Sequence, residues 1–441
     1  MRKENFRNIA IIAHVDHGKT TLVDGLLKQS GTFKAHQDVE DRVMDSMDLE
    51  KERGITITAK NTAIFYNDIK INILDTPGHA DFGGEVERSL NLVDGAILLV
   101  DSSEGPLPQT RFVLKKALEK DLPIILIINK IDRADSRIDE VVDEVYDLFI
   151  DLGANDKQIE FPILYTIAKD GVAHSKLGDG STDLKPLFEA ILNKIPGPMA
   201  DDNYTSQFLV TNLDYDSYVG QIAIGRLSNG TLKMTDSYAH CGIDKVSHGH
   251  KFSALYTFKG LNKIKVESLE AGDIIAVAGI EGITIGDTIS DNENPETLPR
   301  IKIDEPTVSM LFYVNNGPFA GKDGKFLTSR HINERLQKEI LSNVSIQVLE
   351  TDRADVFEIH GRGELQMAVL IETMRREGYE FMVSKPQVIT HEENGQTMEP
   401  MEKVFLDIPE DKVGVITEKL SERKARMTNL QNHGSGRVNI E

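Results

Sequence analysis

The feature that most constrains the fold is an apolar run followed at once by a glycine-containing loop. The run includes Ile11 and Ile12 and stops at a loop that contains Gly18-Lys19-Thr20, after which the chain becomes amphipathic. Three more apolar runs lie at 71–74, 96–100 and 124–128, separated by helical spacing such as that of 110–122. This alternation predicts crossover units, and therefore a parallel sheet with helices on both faces.

Two linkers divide the rest of the chain, whose 441 residues are too many for one ordinary core. Pro196-Gly197-Pro198 ends the α/β region, and the proline-containing segment 291–299 lies further on. Between them, short alternating runs are separated by turn signals, which is typical of a small β-barrel.

The region after the second linker has the order strand, helix, strand, strand, helix, strand. The predicted elements are 307–313, 329–341, 345–349, 356–360, 364–377 and 380–383. This order is the split β-α-β pattern of ferredoxin-like domains. A similar unit begins with predicted elements at 403–408, 412–423 and 437–441, where the sequence stops. Half a unit would leave an open sheet edge, so we expect a C-terminally truncated chain.

Composition narrows the class of protein. Apolar residues make up 40% of the chain and charged residues 27%, as in globular proteins, and the single Cys241 excludes an internal disulfide. We find neither a secretory signal nor an apolar run near the roughly 20 residues of a membrane helix, so we expect a cytoplasmic protein without a membrane partner. The net charge of -21 argues against indiscriminate nucleic-acid coating. The basic segment 421–426 is either a local RNA contact or a solvated helix end.

The first loop resembles the phosphate-loop pattern G-x-x-x-x-G-K-[ST], with Ala13 at the first glycine position. Backbone N–H groups and the following helix N-terminus would present positive charge to phosphates. Lys19 would add a full charge toward the β- and γ-phosphates, and the Thr20 hydroxyl would bind Mg²⁺. The alternative is a chance turn. The predicted phosphate-binding residues are Asp16, His17, Gly18, Lys19, Thr20 and Thr21.

Two further motifs follow apolar runs. In Asp75-Thr76-Pro77-Gly78, the aspartate can hold Mg²⁺ through water and the Gly78 amide can reach a γ-phosphate. In Asn129-Lys130-Ile131-Asp132, the aspartate can accept two hydrogen bonds from guanine, whereas adenine offers no equivalent pair. All three motifs fall at carboxyl ends of predicted parallel strands, where open α/β sheets bind ligands. The predicted ligand is therefore GTP, with GDP as product.

Two residues have roles that depend on these motifs. Thr56 lies on the polar, glycine-containing stretch 52–57, so we predict a conditional Mg²⁺ ligand on a switch segment. His79 follows Gly78, next to the expected γ-phosphate. Phosphoryl transfer to water needs a positioned nucleophile, and a histidine at this place can orient that water.

The combined motifs A-H-V-D-H-G-K-T-T, R-G-I-T-I, D-T-P-G-H and N-K-I-D resemble the translational GTPases. The strings D-S-M-D-L-E-K-E-R-G-I-T-I-T-A-K and H-A-D-F-G-G-E-V-E-R-S are similar to the BipA/TypA branch in particular, and fit it better than LepA. No large insertion like that of elongation factor G follows Gly171. The resemblance covers essentially the whole chain.

The resemblance implies a ribosome-stimulated GTPase that acts in ribosome assembly or in translation under stress such as cold. It also implies roles for three residues. Val15 and Ile55 would form an apolar gate around the catalytic His79, and Asp16, near the phosphates, would help bind a monovalent cation. Lys19 is the other predicted catalytic residue. Ala168 and Lys169 match the guanine-side loop, although Ile167 replaces its usual serine. The helix motif G-E-L-H-L is also altered, because Gln366 and Met367 follow Gly363-Glu364-Leu365.

The predicted fold class is an α/β P-loop GTPase domain followed by a β-barrel and ferredoxin-like α+β domains. The expected boundaries are 1–198 for the GTPase domain, 205–297 for the barrel, 303–390 for the ferredoxin-like domain and 398–441 for the incomplete one. We expect a monomer that meets ribosomal RNA, ribosomal proteins and tRNA. A GTP-dependent binding module and a LepA-like translation factor remain as alternatives. The glycine-rich loop 317–325 would either bind a phosphate or an RNA backbone, or serve as a flexible connection between the first strand and helix of its domain.

Overall fold

The computed structural model describes residues 1–31, 48–53, 56–77, 79–216, 218–301, 305–343, 345–393, 395–432 and 436–441. Four regions of regular structure follow one another along the chain, each built around its own sheet. The predicted positions of Gly54, Ile55 and Gly78 in the nucleotide site lie outside the described residues.

The first region is built on a seven-stranded sheet. Its strands, from one edge to the other, are Lys60–Tyr66, Ile69–Asp75, Phe6–Ala13, Gly95–Asp101, Ile124–Asn129, Ile163–Ile167 and Val172–His174. The five inner strands run parallel and the two edge strands pair antiparallel. The register places Ile11 beside Asp75 and Asp101 beside Asn129, so the predicted motifs meet at one sheet edge.

Helices cover both faces of this sheet, as the near-continuous apolar strands require. The α-helices are Lys19–Gln29, Asp48–Arg53, Gly83–Leu90, Pro108–Glu119, Ile138–Asp151, Asp156–Ile159 and Lys185–Lys194, and the short 3₁₀ helices are Ala80–Phe82 and Ala168–Asp170. Separate buried clusters form on the two faces, one around Leu98 and Val113 and one around Ile97 and Leu26. The edge strand Lys60–Tyr66 was absent from our prediction, because its mixed polar and apolar residues carry no buried-strand signal.

The second region is all β. An eight-stranded antiparallel sheet has the spatial order Val246–His250, Tyr238–Cys241, Thr288–Asp291, Gln207–Asp216, Gly220–Asn229, Ile274–Ala278, Ala254–Lys259 and Asn262–Val266. A separate ladder pairs Thr231–Lys233 with Ser268–Glu270. Phe208, Leu255 and Ile275 lie in its core. This β-rich region follows the α/β region, as the predicted fold class requires.

The third region has the strand order Gln347–Glu350, Val356–Gly361, Val308–Val314, Phe381–Val383, with Gln387–Val388 also pairing to Val308–Val314. Its helices are Ser329–Ser342 and Glu364–Arg376, and their apolar faces pack on the sheet through Leu336, Leu370 and Met374. The order of the four main strands and two helices is ferredoxin-like.

The last region contains short elements. A hairpin joins His391–Glu393 to Gln396–Met398, and a three-stranded sheet has the order Leu406–Pro409, Arg437–Ile440, Leu430–Asn432. The 3₁₀ turn Glu410–Lys412 leads into the helix Val413–Glu422. The strand Leu430–Asn432 was absent from our prediction because three polar-rich residues show no alternation. Within the described ranges, no helix is long and apolar enough to cross a membrane.

Candidate nucleotide-binding site

The phosphate loop connects the Phe6–Ala13 strand to the Lys19–Gln29 helix. Gly18 precedes the helix with φ +96, a left-handed conformation that glycine adopts without strain. A Cβ atom at this position would lie 2.4 Å from Asn129 Nδ2. The loop therefore requires glycine here for two independent reasons, and its close approach to Asn129 joins the first motif to the third.

Lys19 contacts two other predicted site residues, Thr56 and Asp75. Its Nζ donates to Thr56 Oγ1 at 2.7 Å and to the Thr76 carbonyl oxygen at 3.0 Å, and forms an ion pair with Asp75. Thr56 Oγ1 also donates to Asp75 Oδ2 at 3.4 Å. Lys19, Thr56 and Asp75 come from three separate segments, yet they converge at the end of the central strands.

The donor atoms at this point suit a magnesium ion. A hydroxyl oxygen and a carboxylate oxygen, both on buried residues, face the same lysine, and hard oxygen donors are those that Mg²⁺ prefers. Thr20 lies next to Lys19 in the first turn of the helix. The residues present therefore fit the ion that the sequence predicts.

Glu50 holds the segment that carries Thr56. Its Oε1 accepts hydrogen bonds from the Ile57 and Thr58 N–H groups at 3.0 and 3.2 Å, and its Oε2 pairs with Lys60. Glu50 is fully buried. Carboxylates are rarely buried unless they have partners of this kind. Sequence reasoning missed this residue, because a glutamate within D-L-E-K-E-R reads as part of a solvated helix.

Asn129 connects the phosphate loop to the guanine-side motifs. Its Nδ2 donates to the His17 carbonyl oxygen at 2.8 Å. Its Oδ1 accepts from Thr166 Oγ1 at 2.9 Å and from the Ala168 N–H at 3.0 Å. The N–H of Ala168, a residue of the predicted guanine-side loop, thus donates to Asn129 in this structure. Thr166 was missed because a threonine within the strand I-L-Y-T-I carries no distinct signal.

The remaining guanine-side residues lie nearer the surface. Asp132 forms an ion pair with Lys169, which lowers the pKa of Asp132. Lys130 adopts φ 59, and its Nζ lies 2.8 Å from Asp101 Oδ2. Asp132 therefore has its carboxylate ionised and turned toward the loop of residues 168–170, where we predict the base.

A polar cluster adjoins the phosphate loop, with His17 and Asp101 buried, His14 half-buried and Glu104 exposed. The Asp101 N–H donates to His17 Nδ1 at 3.3 Å, and His17 Nε2 lies 3.4 Å from Glu104 Oε2. The ring of His14 is 5.3 Å from that of His17. Burial, followed by the proximity of His17, lowers the pKa of His14 to about 4, so His14 is neutral at pH 7. Sequence reasoning missed Asp101, which ends the Gly95–Asp101 strand, and Glu104, which follows it, because no recognisable motif marks either residue.

His79 is the predicted water-orienting residue, and about a third of its side chain is exposed. Its Nδ1 accepts a hydrogen bond from the Asp81 N–H at 3.1 Å and lies 3.4 Å from Asp81 Oδ1. The Phe82 ring is 6.4 Å away in an edge-on arrangement. Val15 is half-buried and Asp16 is exposed, with φ 64. The position of the histidine is thus set by its own turn, Ala80–Phe82.

Similarity to several known proteins covers nearly all of this chain. A protein from Synechocystis named large ribosomal subunit assembly factor BipA is 53% identical over 435 residues, which cover 99% of this chain and 73% of the relative. Proteins of the same name from Salmonella typhimurium and Bacillus subtilis are 52% and 50% identical over 438 residues, each covering 99% of this chain and 72% of the relative.

The chain belongs to the BipA family. Within it, the family described as "Elongation factor Tu GTP binding domain" matches residues 4–197, which include every predicted nucleotide-site residue. "Elongation factor G domain 2" matches 206–292, and "Elongation factor G C-terminus" matches 396–441. The crystal structure of a protein from Thermus thermophilus has a TM-score of 0.69 at 17% identity, over 99% of this chain and 92% of that one. That likeness concerns the fold alone.

The glycine-rich loop 317–325 already has an anionic partner within this BipA-family chain. The Glu380 carboxylate accepts hydrogen bonds from the N–H groups of Gly321, Asp323 and Gly324, at distances between 2.9 and 3.2 Å. These donors lower the pKa of Glu380. Of our two interpretations of the loop, the geometry favours the connection between strand and helix over a phosphate site.

Proposed function

We propose that this chain is a ribosome-associated GTPase that acts in assembly of the large ribosomal subunit. The observation that carries the proposal is the convergence of Lys19, Thr56 and Asp75 at the edge of the sheet, in a chain about half identical to BipA proteins over 99% of its length. Those relatives are named as assembly factors of the large subunit.

The phosphate side of the proposed site is built from the first helix, the switch segment 52–57 and the motif that begins at Asp75. Lys19 binds the β- and γ-phosphates, while Asp16, His17, Gly18, Thr20 and Thr21 surround them. Thr20, Thr56 and Asp75 would hold Mg²⁺, which when bound neutralises the charge of the β- and γ-phosphate oxygens. The contact between Lys19 and Thr56 supports this assignment, because it places the switch threonine beside the phosphate lysine.

In the proposed hydrolysis, His79 orients the water that attacks the γ-phosphate in line with the leaving β-phosphate. Val15 and Ile55 exclude other water as an apolar gate, and Asp16 binds a monovalent cation beside the phosphates. The exposure of part of the His79 side chain supports a residue that another molecule can reach and reorient. The free chain is then a slow enzyme and the ribosome is its activator.

Selectivity for guanine rests on Asp132, with Asn129, Lys130, Ala168 and Lys169 forming the rest of the pocket. An ionised carboxylate offers only acceptors, which match the N1–H and the exocyclic amine of guanine. The hydrogen bonds of Asn129 to His17 and Ala168 support the assignment, since one side chain fixes the base side relative to the phosphate loop.

We divide the chain into a GTPase domain at 1–198, a β-barrel at 205–297, a ferredoxin-like domain at 303–390 and a further ferredoxin-like unit at 398–441. A monomer with this arrangement would meet ribosomal RNA and proteins, and tRNA. The sheets described above support the division, because each range contains its own sheet.

The test is GTP hydrolysis by the purified chain with and without large ribosomal subunits. We expect slow phosphate release alone and faster release with subunits. His79→Ala should remove the stimulation and keep the affinity for GDP. A matched control is His331→Ala, since this histidine lies on the Ser329–Ser342 helix of the third region. Stimulation that survives intact in His79→Ala would contradict the role of the histidine, and unchanged phosphate release with subunits would contradict the ribosomal activator.

A further inference from the structure

The helix Glu364–Arg376 contacts two segments of the predicted site, the switch segment 52–57 and the turn Ala80–Phe82 that follows His79. At its N-terminus, the Leu365 N–H donates to Asp81 Oδ2 at 2.8 Å, and the Gln366 N–H lies 3.4 Å from the same oxygen. At its other end, Arg376 forms a two-pronged pair with Glu52, with distances of 2.9 and 2.6 Å. A helix of 13 residues is about 20 Å long, so it spans the distance between the two segments.

An apolar cluster fills the space between these polar contacts. Val369 of the helix packs with Leu49, Ile57 and Phe82, and all four are buried. Leu49 and Ile57 flank the segment that carries Thr56, whereas Phe82 follows His79 by three residues. The helix thus contacts the two segments at its start, in its middle and at its end. It packs on the sheet of the third region, whereas both segments are part of the first region.

Asp81 links this helix to the histidine. Its N–H donates to His79 Nδ1 at 3.1 Å and its Oδ1 lies 3.4 Å from the same nitrogen, while its Oδ2 accepts from the helix. Burial opposes the charge of Asp81, but the hydrogen bonds that its carboxylate accepts, including those from the two helix N–H groups, outweigh burial and lower the pKa. One ionised carboxylate therefore joins the turn of His79 to a helix almost 300 residues further along the chain.

Gly363 shows how closely the two parts approach. Its backbone is extended, with φ -169, so a side chain would cause no conformational strain. A Cβ atom would nevertheless lie between 2.3 and 2.5 Å from the three carboxyl atoms of Asp81. Position 363 must lack a side chain for Asp81 to cap the helix, which gives a physical reason for the glycine of the G-E-L motif.

We propose that Asp81 is a positioning residue that fixes His79 to the N-terminus of the Glu364–Arg376 helix, so that the docking of the ferredoxin-like unit sets the orientation of the histidine. This inference rests on the role proposed above for His79. It adds a way to regulate hydrolysis, because any partner that moves the helix also moves the two N–H groups that donate to the Asp81 carboxylate. Loss of the cap would free the turn and reduce the fraction of molecules with the imidazole correctly oriented.

The experiment compares three variants of the full chain. Gly363→Ala, a substitution outside the GTPase region, displaces the Asp81 carboxylate. Asp81→Asn keeps the size of that side chain but removes its charge. Gly414→Ala is the matched control, because a Cβ atom at this helical glycine would meet nothing within 4 Å. The first readout is the set of imidazole ¹⁵N signals in the GDP-bound chain, which has 12 histidines, with His79 assigned by its loss in His79→Gln.

We expect the His79 signals to move in Gly363→Ala and in Asp81→Asn, and to stay in place in Gly414→Ala. The ribosome-stimulated rate should fall in the same two variants by about 2- to 30-fold, the range seen for coupling residues, while GDP affinity stays at the wild-type value. Unchanged His79 signals in both variants would overturn the proposal. If His79→Ala instead keeps full stimulation, the proposed function fails at that residue, and the imidazole spectra still decide whether Asp81 transmits the position of the helix.

Discussion

Lys70 Nζ lies 2.7 Å from each carboxylate oxygen of Asp273, across the boundary between the first sheet and the β-rich region. Both side chains are almost fully buried. Thr257 and Asn72 donate further hydrogen bonds to the same carboxylate, at 3.0 Å each. Burial lowers the pKa of Lys70, and the adjacent Asp273 opposes that shift. This charged pair fixes the β-rich region against the strand that ends in Asp75.

Asp273→Asn should therefore destabilise the chain strongly. It leaves the Lys70 ammonium buried without a countercharge, a change that costs about 3–5 kcal/mol in comparable pairs. The free energy of unfolding in urea measures this loss. Asp214→Asn is the matched control, because Asp214 pairs with Lys263 on the surface and exposed pairs contribute only about 0–1 kcal/mol. Equal losses of unfolding free energy in the two variants would show that the buried pair stabilises the chain no more than the surface pair does.

Gly18→Ala should abolish tight nucleotide binding. The added methyl group would lie 2.4 Å from Asn129 Nδ2, and the residue would also be strained at φ +96. We expect GDP affinity to fall by roughly 100-fold or more, about 3 kcal/mol, as measured with a fluorescent GDP analogue. Gly31→Ala separates the two causes, since Gly31 has φ +70 but no atom within 4 Å of a Cβ. If Gly31→Ala lowers the GDP affinity by a comparable factor, backbone strain and not the clash with Asn129 would explain the loss in Gly18→Ala.

The sequence allowed the fold class to be predicted because three inner strands of the first sheet, Phe6–Ala13, Ile69–Asp75 and Ile124–Asn129, are dense apolar runs that end in recognisable motifs. The Ile69–Asp75 and Ile124–Asn129 strands were expected within two residues of their observed bounds. The contacts that position the site were not predictable in this way. Glu50 and Asp81 act through tertiary partners, and a single acidic residue in a polar stretch gives no sign that a distant N–H group lies against it.

Asp132→Asn should change the preferred base. An amide offers one acceptor and two donors, so it cannot accept from both the N1–H and the amine of guanine. A site that leaves the N1–H and the amine of guanine without acceptors can lower the affinity for GDP by up to about 10⁴-fold. The N–H groups of the new amide can instead donate to the carbonyl oxygen of xanthine. Competition of GDP and xanthosine diphosphate for the site measures the change. Asp135→Asn, which alters an exposed aspartate paired with Arg133, should leave the preference for GDP as it is.

Asp101 should make the free energy of unfolding of the chain depend on pH in the acidic range. Burial alone would raise the pKa of Asp101, but the hydrogen bond from Lys130 and the N–H groups of Ser103 and Glu104 lower it to about 2. Because the folded pKa lies below the unfolded value near 3.8, the stabilisation is fully present above about pH 4 and is lost as the pH falls toward 2. A shift of this size corresponds to about 2 kcal/mol.

The free energy of unfolding of the wild type and of Asp101→Asn, measured between pH 6 and pH 2, isolates this contribution, since the other acidic groups titrate in both proteins. We expect a constant difference in favour of the wild type above about pH 4 and a narrowing difference below it. A difference that stays constant to pH 2 would mean that the carboxylate of Asp101 keeps no lowered pKa in the folded chain. In that case the ion pair with Lys130, which joins the guanine-side motif to the neighbouring strand, would not stabilise the site.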